Sequence, residues 1–326
     1  MLLVVAAAML PMYGCGLIFE YDNCGPDSDS PFCVDADWKY APEANPEGMA
    51  YIFYPSDGGG EWRFDFSGRQ GGEARLPDGE FSVIAFNDDT SRILFSGTGS
   101  YDDLTFYCRR GGLYDGLGGT IDNPLGPNVT DSGEEVEICP DMLWCDNDAY
   151  FKLSADGTAV MKSPGGSVEY SDSRILTLYP RQIIARYSYE VSDITNLRGV
   201  ERVCASLSGM ASSLRPSDMH RGTPVTLPVK AEKKGDDSLI GNFLTYGKSS
   251  AEGATNTLSL YIWLADGRKL HYDFDVSAQI DAAEDPMDVH IALSGLELPE
   301  SAEPVGGGGF DVSVDGWVTV VIDIKS

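Results

Sequence analysis

The chain has 326 residues, 42% of them hydrophobic and 37 of them glycine, which is enough apolar material for two ordinary cores. Its 51 Asp and Glu against 23 Lys and Arg leave a net charge of -28, a surface that repels phosphate backbones and so excludes nucleic acid as a partner. The three histidines, His220, His271 and His290, are scattered and no Cys-x-x-Cys occurs, so the sequence offers no zinc ligand set.

Residues 1–14 run apolar and uncharged into Gly14 and Cys15. The core from Leu2 to Leu10 falls short of the roughly 20 apolar residues that span a bilayer but fits the apolar region of an export signal. Gly14 supplies the small residue that a signal peptidase needs before its cut, and Cys15 is then the lipid attachment site of a lipoprotein. The alternatives are an ordinary secretory cut near Gly14 or a buried strand. Acyl chains on Cys15 would each hold the bilayer by about 0.8 kcal/mol per buried methylene. Removing Cys15 leaves six cysteines, Cys24, Cys33, Cys108, Cys139, Cys145 and Cys204, an even number that permits disulfides in an exported chain without fixing their pairing.

Residues 15–46 are acidic, turn-rich and thinly apolar, which predicts a tether. Beyond it, short runs at Tyr51 to Tyr54, Glu61 to Phe66, Glu80 to Asn87, Ile93 to Phe95 and Leu104 to Cys108 alternate with Gly, Pro, Asp and Asn clusters at strand spacing. Gly111 to Glu137 reads as a long loop, and Asp156 to Asp172 as a turn-rich piece. A change of texture at Ser173 places a domain boundary near residue 172, dividing a β-sandwich over 47–172 from a second over 173–326. The second half carries strand runs at Ile175 to Tyr179, Ile183 to Val191, Val200 to Leu207, Thr226 to Lys230, Leu239 to Thr245, Thr257 to Leu264, Lys269 to Val276, Val289 to Leu293 and Trp317 to Ile324. Asp266-Gly267 and Asp315-Gly316 are hairpin turn signals. No long amphipathic helix is present, so the expected class is all-β, two sandwiches in series. The last run either completes its own sheet or is donated to a neighbour.

Catalytic signatures are missing: no Gly-x-Ser-x-Gly, His-Glu-x-x-His or Gly-x-Gly-x-x-Gly, and Gly241 to Ser249 only approximates a phosphate loop. Asp27 to Asp29 and Asp146-Asn147-Asp148 are oxygen-rich enough for calcium but lack the spaced ligands of an EF-hand, so solvated loops are the simpler reading. Trp62, Trp144, Trp263, Tyr51, Tyr54 and Tyr101 could stack on sugars, although aromatics at strand positions more often pack in cores. No catalytic, cofactor or metal residue is assigned, and the chain is expected to be a binding protein, not an enzyme.

The order Gly48-Met49-Ala-Tyr-Ile-Phe-Tyr54-Pro55, Phe64-Asp-Phe-Ser-Gly68, Leu76-Pro77-Asp78-Gly79-Glu-Phe81-Ser-Val83 and Phe86-Asn87 resembles the fimbrillin-like surface lipoproteins of Bacteroidetes. Tyr179-Pro180-Arg181, Tyr187 to Val191, Gly199 to Val203 and Leu207 to Met210 extend the likeness. It is similar in particular to the two-domain DUF5119 group, relatives of the FimB/Mfa2-type fimbrial anchor proteins. The resemblance implies two transthyretin-like β-sandwich domains, an outer-membrane lipid anchor at Cys15 and a role in fimbriae or adhesion. It also implies fimbrial subunits or surface ligands as partners, and brings no catalytic residues. In fimbrillin stalk subunits a trypsin-like protease cuts after a basic residue. Here Gly16 to Tyr54 holds one basic residue, Lys39, which favours a subunit kept on its lipid, while Arg109-Arg110 reads as an exposed basic pair. The runner-up function is a glycan-capturing outer-membrane lipoprotein that uses exposed aromatics such as Trp62 and Trp263.

Overall fold

The computed structural model describes residues 29–154, 159–162, 168–171, 175–301 and 317–321. The first strands are β1 (Asp29–Ala36), β2 (Gly48–Pro55), β3 (Trp62–Ser67), β4 (Glu73–Pro77), β5 (Gly79–Asn87), β6 (Ile93–Ser96), β7 (Thr105–Cys108), β8 (Trp144–Leu153), β9 (Ala159–Lys162), β10 (Val168–Ser171), β11 (Ile175–Leu178) and β12 (Arg181–Gln182). There follow β13 (Ala185–Ser192), β14 (Val200–Ala211), β15 (Ser213–Arg215), β16 (His220–Arg221), β17 (Pro224–Lys230), β18 (Glu232–Lys234), β19 (Ser238–Thr245), β20 (Thr257–Leu264) and β21 (Lys269–Asp275). A one-turn helix, α1 (Ser277–Asp281), precedes β22 (Asp288–Ser294) and β23 (Trp317–Val321). The all-β expectation holds.

In the first sandwich, the sheet β11-β1-β4 lies over the sheet β10-β9-β8-β5-β2-β3, with β12 attached to β8. Phe32 meets Phe53 edge to face at 5.6 Å and Phe151 at 4.7 Å in a core shared with Val34, Leu76, Met49, Tyr51 and Val83. The tether expected over 15–46 is corrected here. Residues up to 28 lie outside the described chain, but Asp29–Ala36 is the middle strand of its sheet, parallel to β11 and antiparallel to β4. Its period-two set Phe32, Val34, Ala36 continues to Trp38, all buried. Pro31 is tolerated because it pairs with Arg75 on β4, whereas the parallel ladder begins only at Cys33. Val34 donates to the carbonyl of Gly72 at 2.9 Å, and a side chain at Gly71 would collide with the Val34 carbonyl, so glycine is what lets the two backbones meet. Lys39 sits 3.8 Å over the Tyr179 ring and Arg181 4.1 Å over Tyr40, fixing the segment after β1 to the chain between β11 and β12.

β8 arises where the sequence suggested only an acidic loop. Its register with β5 shifts between Val83 and Ala85, and at this bulge the buried Asp146 accepts the Tyr179 amide at 2.6 Å. β11 and β12 belong to the first sandwich, so the chain crosses to the second between Gln182 and Ala185 instead of near residue 172.

The second sandwich packs β18-β19-β13-β22 against β17-β14-β20-β21-β23. Tyr187, Tyr189, Leu239, Val289 and Ile291 face Ala205, Leu207, Leu227, Leu260, Ile262 and Phe274 in its core. Asp266-Gly267 turns β20 into β21 as predicted, with Gly267 at φ +87. Asp315-Gly316 lies outside the described residues.

A third core locks the halves together. The sheet β16-β15-β7-β6 pairs Phe106 with Leu214 across the two halves. Ile52, Ile84 and Phe86 on the far face of the seven-stranded sheet pack with Phe106, Ile138, Ile183, Leu214 and Tyr246. A sheet covered on both faces explains why Met49 to Tyr54 is apolar without alternation.

Candidate functional site

β14, β17, β20 and β21 give the five-stranded sheet an apolar inner face and a different outer one. Alternate residues turn Cys204, Ser206, Tyr261, Trp263, His271 and Asp273 outward. The long segment between β7 and β8 folds over part of this face, where Leu113, Tyr114 and Val136 pack on Cys204, Tyr261 and Trp263. Asp115 holds it in shape, accepting the amides of Gly112 at 2.8 Å and Leu125 at 2.6 Å. Glu134 ties it to the sheet, accepting Gly209 N and Thr226 Oγ1, each at 2.9 Å. β23 lies parallel to β21, Lys269 opposite Trp317 and Asp273 opposite Val321. Trp317 closes the aromatic cluster, 4.7 Å from Trp263, 5.4 Å from Tyr261 and 5.8 Å from Tyr114 between ring centroids.

Beside these aromatics the outer face stays open as a groove of about 630 Å³. Serines and threonines form its floor, among them Ser206, Ser208, Thr257 and Ser259, and residues 127–132 of the covering segment form one wall. Ser259 donates to Asp273 Oδ1 at 2.5 Å, and His271 Nε2 lies 2.9 Å from the same oxygen. Burial alone would raise the Asp273 carboxyl, but the bonds from His271 and Ser259 outweigh it and hold the group below the usual carboxylate range. His271 stacks on Tyr261 at 4.6 Å. The carboxylate stands between hydroxyl and imidazole, whereas an activated serine needs the imidazole in the middle.

Of the residues picked out from sequence, Cys15 and Cys24 lie outside the described chain. Cys33, Cys108, Cys139, Cys145 and Cys204 are free thiols, so no disulfide joins the cysteines of the described residues. Tyr51, Tyr54 and Trp263 are buried, Trp144 packs edge to face on Trp38, and Trp62 is 38% exposed at the rim of a second groove lined by Asp57, Glu61, Asp78 and Glu80. Asn147 bonds the Pro216 carbonyl through its amide and accepts Tyr101 Oη, so with Asp146 it serves the fold. Gly241 to Thr245 lies in β19, which removes the phosphate-loop likeness. The groove around Asp273 was not found from sequence.

These surfaces belong to an all-β protein of two interlocked sandwiches whose exposed features are sheet edges and grooves. The family model described as "Domain of unknown function (DUF5119)" matches residues 27–229, and the chain belongs to that family. The protein named "Putative fimbrium anchoring subunit Fim4B" of Bacteroides ovatus is 25% identical over 97% of this chain and 94% of its own length. Among solved structures, a chain described as "a putative adhesin" from Bacteroides ovatus superposes with TM-score 0.61 at 22% identity, covering 84% of this chain and 94% of that one, which establishes the shared fold. The fimbrial anchor protein Mfa2 from Porphyromonas gingivalis aligns at TM-score 0.46 and 14% identity over 81% of this chain and 91% of its own.

Proposed function

We propose that the chain is a lipid-anchored cell-surface protein of the fimbrial anchor or adhesin kind, acting by binding, with Cys15 as its lipid attachment in the outer membrane. The likeness to Fim4B over nearly the whole chain supports the class. The observation that carries the anchor reading is the place of β1. Cys15 stands 14 positions before Asp29, and a chain of that length reaches at most about 50 Å when extended. Beyond it the backbone enters the centre of a sheet, so a pull on the lipid end is borne by two ladders and the Phe32 core.

The fimbrial partner meets a sheet edge. Among the described residues of the second sandwich, β18 is three residues long, charged and exposed, a form that discourages strand addition. β17 is covered by the segment around Val136, where the Thr226 amide donates to the Glu135 carbonyl at 2.9 Å and the Thr226 carbonyl accepts the Glu137 amide at 3.1 Å. β22 is capped by Gln279 of α1, whose amide side chain donates to the Ala292 carbonyl at 3.0 Å and accepts the Ala292 amide at 2.9 Å. β23 is the remaining edge, and a partner strand added there would pair by backbone bonds.

The test compares native cells carrying the parent chain and Cys15→Ala. The parent is expected to take up labelled palmitate, fractionate with the outer membrane and react with antibody on intact cells, while the variant is released unlabelled. A parent that takes up no label, or a variant that stays in the membrane, overturns the anchor.

A further inference from the structure

We infer that the groove on the outer face of the second sandwich binds a neutral saccharide. It is concave, and its volume of about 630 Å³ falls inside the roughly 300–1,000 Å³ typical of small-molecule sites. Its floor is a sheet face, where backbone groups are already used in the ladders of β14, β20 and β21, so recognition must come from side chains. Those side chains are mostly hydroxyls, each able to donate and to accept, which is the property that matches a ring of sugar hydroxyls.

Asp273 supplies the fixed acceptor. Ser259 donates to Oδ1 and His271 Nε2 stands 2.9 Å from the same oxygen, so neither contact uses Oδ2, which keeps acceptor capacity for a ligand, and the two contacts hold the carboxylate in one orientation. A charge-assisted bond from a ligand hydroxyl to such a preset carboxylate is the strong kind. Trp317 supplies a partly exposed aromatic wall next to this polar floor.

Charge narrows the class further. Among the described residues the lining carries two carboxylates, Asp131 and Asp273, and no Lys or Arg, so phosphorylated, sulfated and sialylated sugars meet repulsion without a counter-charge from them. The residues differ from those that the sequence suggested for glycans: Trp263 is buried under Tyr114, and Trp62 lies at the other groove.

The experiment is saturation-transfer NMR followed by calorimetry on the full chain in detergent, with maltose, cellobiose, lactose and mannobiose as probes. Sialyllactose and a lysine hexapeptide serve as the acidic and cationic comparisons. At least one neutral disaccharide is expected to bind saturably, and Asp273→Asn to weaken it about tenfold, the loss of one bond to a charged group. Ser259→Ala is expected to weaken it less and Trp62→Ala to leave it unchanged, with melting temperatures reporting that each variant is folded. The proposal is overturned if none of the four disaccharides binds, if folded Asp273→Asn binds as the parent does, or if the peptide or sialyllactose takes the site in preference.

Discussion

β1 and β23, the first and last strands of the described chain, are held in different ways. β1 lies between β4 and β11 and sends Phe32, Val34 and Ala36 into a core, whereas β23 has β21 as its strand neighbour and contributes Trp317 to a cluster on the outside of a sheet. The difference shows where tension and exchange belong in this fold. An inner strand cannot leave without opening two ladders and a core, so the end of the fold that begins at β1 is the fixed one. An edge strand can be extended or replaced at far smaller cost.

Substitution in β1 should have the largest effect. Phe32→Ala removes a ring that touches both Phe53 and Phe151 and should cost about 3–5 kcal/mol, read by denaturant unfolding; a loss near zero would mean that β1 is not part of the core. Truncation after Ser301 removes β23 and should leave a folded protein that melts several degrees lower, with red-shifted tryptophan emission as Trp263 is uncovered. Loss of cooperative unfolding in that truncation would make the two ends equivalent. Gln279→Ala frees the Ala292 backbone on β22 and should change the melting temperature little while promoting concentration-dependent association by sedimentation, because a guarded edge becomes an open one.

The smallest effect is a pH slope. Burial, with help from Glu135 and against Arg110, pushes the Glu137 carboxyl up to about 8 from its ordinary 4.5. The folded chain therefore holds a proton that the unfolded chain releases, and this stabilisation is complete below about pH 4.5 and lost as pH rises through about 8. Glu137→Gln should flatten the fall in melting temperature between those limits, and an unchanged slope would assign the fall to other groups.

Most strands were legible because short apolar or alternating runs are bracketed by turn residues, as in the continuous apolar run Tyr51 to Tyr54 and on either side of Asp266-Gly267. β1 was missed because Asp, Ser and Pro at its start outweigh a four-member alternation that ends at Trp38. β8 was missed because Asp146-Asn147-Asp148 looks solvated until the bulge and the Tyr179 amide are in place. The junction was misplaced because β11 follows a turn-rich stretch yet pairs back to β1, a parallel contact that local pattern does not encode. The groove was illegible for a similar reason: Ser206, Ser259 and Asp273 come from three strands, and only the ladder β14-β20-β21 brings them together.

Mass mapping of the protein purified from native membranes tests most directly the proposed lipid end joined to β1. The expected mature chain begins at an acylated Cys15 and continues without a break through Asp29–Ala36. A mature chain that begins after Lys39, with β1 gone, would contradict it.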